Sequence, residues 1–108
     1  MIPLVANNLN EIRAICQQFG VARLELFGSA SRGDFDPETS DIDVIVDFLD
    51  YGLGVSDRYF GLIDALESLL GRPIQAEFAR TLKNPHIIAS IQNERVTLYD
   101  AGHRSAAA

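Results

Sequence analysis

At 108 residues and roughly 100 to 200 residues per domain, the chain has room for one domain and excludes a self-contained two-domain enzyme. Its 47% hydrophobic content is that of an ordinary globular protein, and nine Lys and Arg against fifteen Asp and Glu give a net charge of −6, the wrong sign for broad binding along a nucleic-acid backbone. A single cysteine cannot close an internal disulfide, no run approaches the roughly 20 apolar residues of a membrane span, and the first residues lack the pattern of a signal peptide, so the expected location is cytoplasmic with no membrane contact.

Leu9, Ile12, Ile15, Cys16 and Phe19 recur at helical spacing, with Asn8 placed as an N-cap, Glu11 three positions on and Gly20 as the stop. Val21 to Phe27 alternates as a strand, with Ala22, Leu24 and Leu26 on one face and Arg23, Glu25 and Phe27 on the other. Ser29 to Arg32 predicts one helical turn, Gly33 to Ser40 has the composition of a loop, and Asp41 to Phe48 predicts a second strand. After the loose connection Asp50 to Gly54, the residues Tyr59, Leu62, Leu66 and Leu69, flanked by Phe60, Ile63 and Leu70, make a wide apolar helical face that Gly71 ends. Pro73 to Phe78 fits a third strand. Asn84-Pro85 predicts a helix start, Ile87, Ile88 and Ile91 its buried stripe, and Val96 to Tyr99 a closing extended segment. This order predicts a small α/β (α+β) domain around a sheet of three strands or slightly more, over residues 1–99, with 100–108 as a flexible tail.

The chemistry concentrates around the first two strands. Glycine at position 28 has no Cβ and lets backbone come close to a bulky anion, the first N–H groups of a helix have no internal partners, and the Ser29 hydroxyl can add a donor. Asp41 and Asp43 lie two apart on a strand, so both carboxylates project from one face with Cα atoms about 6 to 7 Å apart. Hard Mg²⁺ takes such oxygens and commonly shares them with substrate phosphates. Taken singly, a Gly-Ser pair is an ordinary turn and an Asp-x-Asp a solvated loop end; the apolar run Ile42, Val44, Ile45 and Val46 argues for a buried strand, where Asp43 needs a cation or donors. Asp47, about 13 Å further along, is expected to be a solvated strand end.

The blocks Gly28-Ser29-Ala30-Ser31-Arg32-Gly33-Asp34-Phe35 and Thr39-Ser40-Asp41-Ile42-Asp43-Val44-Ile45-Val46 resemble the signature of the minimal nucleotidyltransferases (MNT) of the DNA polymerase beta superfamily. The resemblance continues through Leu69-Leu70-Gly71-Arg72-Pro73-Ile74 and Asn84-Pro85-His86 to Arg95-Val96-Thr97-Leu98-Tyr99. It implies a small mixed β-sheet flanked by helices, an NTP such as ATP with Mg²⁺, and transfer of a nucleoside monophosphate to a hydroxyl. Many such proteins are antitoxins beside an all-helical HEPN partner, some adding AMP to a partner tyrosine. By position, Gly28 and Ser29 would hold the β and γ phosphates, Asp41 and Asp43 the metal ions, and Arg32 is a candidate phosphate clamp or a surface ion-pair partner.

The chain departs from the family where a third aspartate is usual: Gln75 stands there, followed by Ala76 and Glu77. An amide oxygen can touch a cation but carries no charge. Glu77, on the same strand face and one methylene longer than aspartate, is the substitute third acid, or else an exposed strand charge or a partner of Arg80 or Arg72. Cys16 belongs to the core, and His86 has no acid partner in the pattern.

A catalytic core this small needs a partner to present its acceptor. A HEPN protein is the leading expectation, with Leu53, Val55 and Tyr59 as contacts, and self-association is the weaker one. The leading function is AMP transfer to a partner hydroxyl by an antitoxin. The alternative is a catalytically degenerate nucleotide-binding antitoxin that acts by binding alone, and a free enzyme modifying a small molecule comes third.

Overall fold

Four strands form one sheet in the order β3-β2-β1-β4, with β1 at Val21–Phe27, β2 at Ile42–Phe48, β3 at Ile74–Phe78 and β4 at Val96–Asp100. β1 pairs antiparallel with both β2 and β4, whereas β2 and β3 run parallel, so the sheet is mixed. The parallel pair needs a crossover, which the helix α4 (Val55–Leu70) supplies. The helices α1 (Pro3–Ala6), α2 (Leu9–Gln18), α3 (Ser29–Arg32) and α5 (Pro85–Glu94) complete the set, with a 3₁₀ turn at Ala79–Thr81. The computed structural model describes residues 1–32 and 40–102, without the side chains of Ser29, Arg32, Ser90, Ile91, Asn93 and Glu94. Of the expected loop Gly33 to Ser40 and the expected tail 100–108, residues 33–39 and 103–108 therefore lie outside the described residues.

Strand alternation divides the sheet's apolar residues between two faces. Leu24 and Leu26 of β1 with Ile42, Val44 and Val46 of β2 face α2 and α4, which contribute Ile12, Cys16, Leu62, Leu66 and Leu70 to the main core. On the other face Phe27 and Ile45 form a small cluster under Leu82 and Ile87. α2 and α4 come close because residue 61 is glycine: a Cβ there would lie 2.5 Å from Phe19 Cε1. Among the described residues no helix is long and apolar enough to cross a membrane.

Several local expectations are refined. α1 has no counterpart in the sequence reading; Ile2 and Val5 are buried around it, and the Ile2 N–H donates to the Ala30 carbonyl at 3.0 Å, bracing α3. Asn8 occupies the N-cap of α2, yet its side chain does not cap it: Nδ2 donates instead to the Leu4 carbonyl at 2.8 Å, a group left without a helical partner at the end of α1. The Asn84-Pro85 start of α5 holds, with Asn84 Oδ1 accepting from the His86 N–H at 2.9 Å. α4 begins at Val55, earlier than its apolar stripe, and Phe60 faces solvent. Ile88, expected in the buried stripe of α5, is exposed because the second face offers only a small apolar patch to cover; the Ile91 side chain lies outside the description. β4 extends to Asp100, and Ala101 packs on the core.

Cys16 is fully buried, and burial pushes its thiol from 9.0 up to about 12. The unfolded chain ionises this thiol above about pH 9 while the folded chain keeps the proton, so the unfolded state binds fewer protons and stability falls as pH rises from about 9 to 12. Denaturant titrations across that range are expected to show this decline, shallower in Cys16→Ala. In the same assay at neutral pH, Leu62→Ala, at a site with no solvent exposure, should lose about 2 to 5 kcal/mol.

Candidate active site

β1 ends where β2 and β3 begin, so three chain segments meet at one end of the sheet. Phe27 pairs with Asp43 across the antiparallel ladder, which brings the next residue, Gly28, against the Asp43 side chain. Gly28 has φ +71°, a left-handed conformation that glycine adopts freely. A Cβ built on it would lie 2.6 Å from Asp43 Oδ2. Glycine is thus required twice, for the turn and for the space the carboxylate occupies. The turn continues into α3, where the Ser31 hydroxyl donates to the Gly28 carbonyl at 2.8 Å and Ala30 is fully buried.

Asp41 and Asp43 project from the sheet face opposite the main core and are both half-buried. Ser40 precedes them, and Arg72 grips its carbonyl through Nε at 3.1 Å and a terminal guanidinium nitrogen at 2.8 Å. Together with the Ile42 N–H donating to the Pro73 carbonyl at 2.9 Å, this ties the entry of β2 to the α4–β3 turn. The planar two-donor fork of arginine suits such a hold, where lysine would act as a point charge.

Of the expected site residues, the structure gathers Gly28, Asp41 and Asp43. The Ser29 hydroxyl and the Arg32 side chain lie outside the described residues. Gln75 is part of the group: its Cα pairs with that of Asp43 in the parallel ladder, and its Nε2 donates to Asp41 Oδ2 at 3.2 Å. Glu77, the expected substitute acid, is not brought to the pair. It stands opposite Ile45, one step of two residues further along, beside an apolar side chain packed under Leu82 and Ile87. Among the described residues no third His, Cys, Asp or Glu completes a metal-binding group with Asp41 and Asp43. Of the other options for Glu77, the arginines are engaged elsewhere, Arg72 with Ser40 and Arg80 3.8 Å from Asp47, and as a strand charge Glu77 is half-buried rather than exposed.

Asp47 also differs from its expected role as a solvated strand end. It accepts a hydrogen bond from the Tyr51 hydroxyl, which in turn accepts from the Phe48 N–H at 3.1 Å, and the Arg80 guanidinium sits 3.7 Å over the Tyr51 ring. Burial, then the Asp47 bond, pushes the Tyr51 phenol up. These contacts fix the strand end away from the acidic pair. Near them, Tyr51, Val55, Phe78, Arg80 and Thr81 line an apolar cavity of about 180 Å³. Of the three expected partner contacts, Leu53 is fully exposed, Val55 lines this cavity, and Tyr59 is packed inward, stacked on Phe78 and donating to the Ala76 carbonyl at 2.7 Å.

Two polar contacts have no signal in the local sequence, one beside the acidic pair and one further along β1. Arg72, expected as an ion-pair partner, instead binds a carbonyl 32 residues away, a contact that no local pattern marks. Glu25 is 7% exposed, with Arg23 Nε at 3.4 Å and Arg95 Nε at 3.5 Å from its carboxylate; its place on the polar face of β1 gave no sign that Arg95, at the end of α5, would close over it.

A strand, a glycine turn and a short helix facing an acidic pair on the next strand define a nucleotidyltransferase domain, and the family model described as "Nucleotidyltransferase domain" matches residues 9–98. The chain belongs to this family. A protein of Methanocaldococcus jannaschii named "Putative protein adenylyltransferase MJ1379" is 30% identical over 96 residues, covering 82% of this chain and 95% of the relative. A solved structure described as a putative minimal nucleotidyltransferase is 27% identical, with a TM-score of 0.71 over 88% of this chain and 95% of that one. A toxin–antitoxin structure with AMP-PNP shares the fold at a TM-score of 0.66 and 21% identity, covering 90% of this chain and 77% of that chain. The mixed four-stranded fold and the family expected from the signature blocks are therefore both established.

Replacing Gly28 with Ala is expected to destabilise the fold by about 1 to 2 kcal/mol through the left-handed backbone alone. Displacement of Asp43 adds to this. Chemical denaturation of Gly28→Ala measures the sum, beside Ala30→Gly, which loosens the adjoining helix α3 instead.

Proposed function

We propose that this chain transfers AMP from ATP to a hydroxyl of a partner protein, and that it serves as the antitoxin of a HEPN-type helical toxin in the cytoplasm. The observation that carries the reading is the Gly28 backbone lying bare against the Asp43 carboxylate with Asp41 beside it, an anion approach and a cation-binding pair on one sheet end. Membership of the nucleotidyltransferase family, relatives named for protein adenylylation and fold neighbours from toxin–antitoxin complexes all support it.

The donors fit a hard divalent cation. Asp41 and Asp43 offer carboxylate oxygens at the register where β2 and β3 begin, as Mg²⁺ prefers, and no soft ligand is among them. Mg²⁺ bound there would offset the charge of the triphosphate and of the departing pyrophosphate. Gly28 leaves room for the phosphate chain to approach the backbone, and α3, braced by the Ile2 N–H, keeps that turn in place. Arg72 keeps Asp41 at the mouth of the site through Ser40. The exposed Leu53 and Phe60 are the apolar side chains available to a protein partner on the α4 side.

A second reading, an antitoxin that binds its partner and nucleotide without transfer, draws on one observation: the neutral Gln75 amide occupies the position opposite Asp43. Incubation of the chain with radiolabelled ATP, Mg²⁺ and the product of the adjacent gene separates the two. Transfer predicts label on the partner that falls by at least about 100-fold in Asp43→Asn, the loss expected when a cation ligand that stabilises transition-state charge is removed. Absence of label, combined with neutralisation that persists in the Asp41→Asn and Asp43→Asn double variant, would establish the binding-only antitoxin instead.

A further inference from the structure

We infer that Gln75 restricts the Asp41 and Asp43 pair to a single divalent cation, where a carboxylate at the same position would admit two. The inference rests on the nucleotide-binding reading above. Gln75 stands opposite Asp43 in the ladder and its amide donates to Asp41 Oδ2 at 3.2 Å. A carboxylate only accepts, so the end of the amide facing Asp41 is its NH₂ group. This contact has two effects: it engages one Asp41 oxygen with a donor, and it puts a neutral group where a third negative charge would otherwise stand.

Two divalent ions roughly 4 Å apart repel strongly and stay together only through anionic oxygens around and between them. Asp41 and Asp43 contribute two such charges, and among the described residues no further His, Cys, Asp or Glu joins them. Glu77 does not replace the missing acid, because the parallel register assigns it to Ile45 and leaves Gln75 opposite Asp43. One cation has enough ligands here, since the oxygens of a bound triphosphate complete its shell. Gln75 is exposed, so a charge placed there is hydrated and its effect is read at the cation rather than as a burial penalty.

The test counts ions. Mn²⁺ is titrated into the full chain at saturating non-hydrolysable ATP analogue, and the free ion is followed by electron paramagnetic resonance. Wild type is expected to bind one Mn²⁺ per chain and Gln75→Asp two, with the second site tightened about thirtyfold, the effect of one negative charge at about 4 Å from a divalent ion in water-like surroundings. Gln75→Asn, neutral but shorter, should still bind one, which separates charge from shape. Gln75→Glu gives the same comparison should the aspartate variant fold poorly by circular dichroism. Two ions of similar affinity in wild type, or one in both folded acidic variants, would overturn the inference and leave the nucleotide-binding reading standing. Wild type that binds neither analogue nor Mn²⁺ would overturn both.

Discussion

The parallel pairing of β2 with β3, set beside the antiparallel pairing of β2 with β1, is the constraint on which the site depends. It fixes Asp43 between Phe27 on one side and Gln75 on the other. Because side chains alternate with a period of two, a slip of one residue in either ladder would send the acidic residues into the main core and the apolar ones out. Ile42, Val44 and Val46, all nearly or fully buried, make such a slip costly, so the hydrophobic core holds the carboxylates in position without touching them. Stability and chemistry share one register.

Around this frame the polar contacts have separate tasks. Arg72 and the Pro73 carbonyl tie the entry of β2 to the turn before β3, so Asp41 is held although it lies just outside the strand. Ile2 braces α3 from a segment that also contributes Val5 to the core. At the far end of β2, Tyr51, Asp47 and Arg80 form a cluster backed by Phe48 and Phe78, which leaves the apolar cavity nearby distinct from the acidic pair. The fold is that of the family, and at the position where the resemblance implies a third aspartate this chain carries the neutral Gln75.

Much of this was legible in the chain because it is local. Helical spacing marked α2, the glycines at 20 and 71 marked two helix ends, alternation marked β1 and an apolar run marked β2. α1 was missed because four residues are too few for a period to show. Ile88 was misplaced because a stripe of apolar residues says which side faces inward only if the surface beneath it is wide enough, and that of Phe27 and Ile45 is small. The candidate site was readable in its first half, where Gly28, Asp41 and Asp43 sit in signature blocks. Its second half was not, because the parallel register sets Gln75 opposite Asp43 and Glu77 opposite Ile45, and no neighbour along the chain signals that pairing.

By itself the sequence determined the family, the order of elements and the presence of a glycine turn and an acidic pair, since each depends on neighbours along the chain. Only the tertiary structure decided that Gln75 rather than Glu77 meets the acids, that Arg72 holds Ser40, and that Asp47 belongs to a different cluster. Those outcomes turn on which residues stand opposite one another in a ladder or across a turn. Strand pairing between distant segments is set by the packing of the whole core, and no local pattern encodes it.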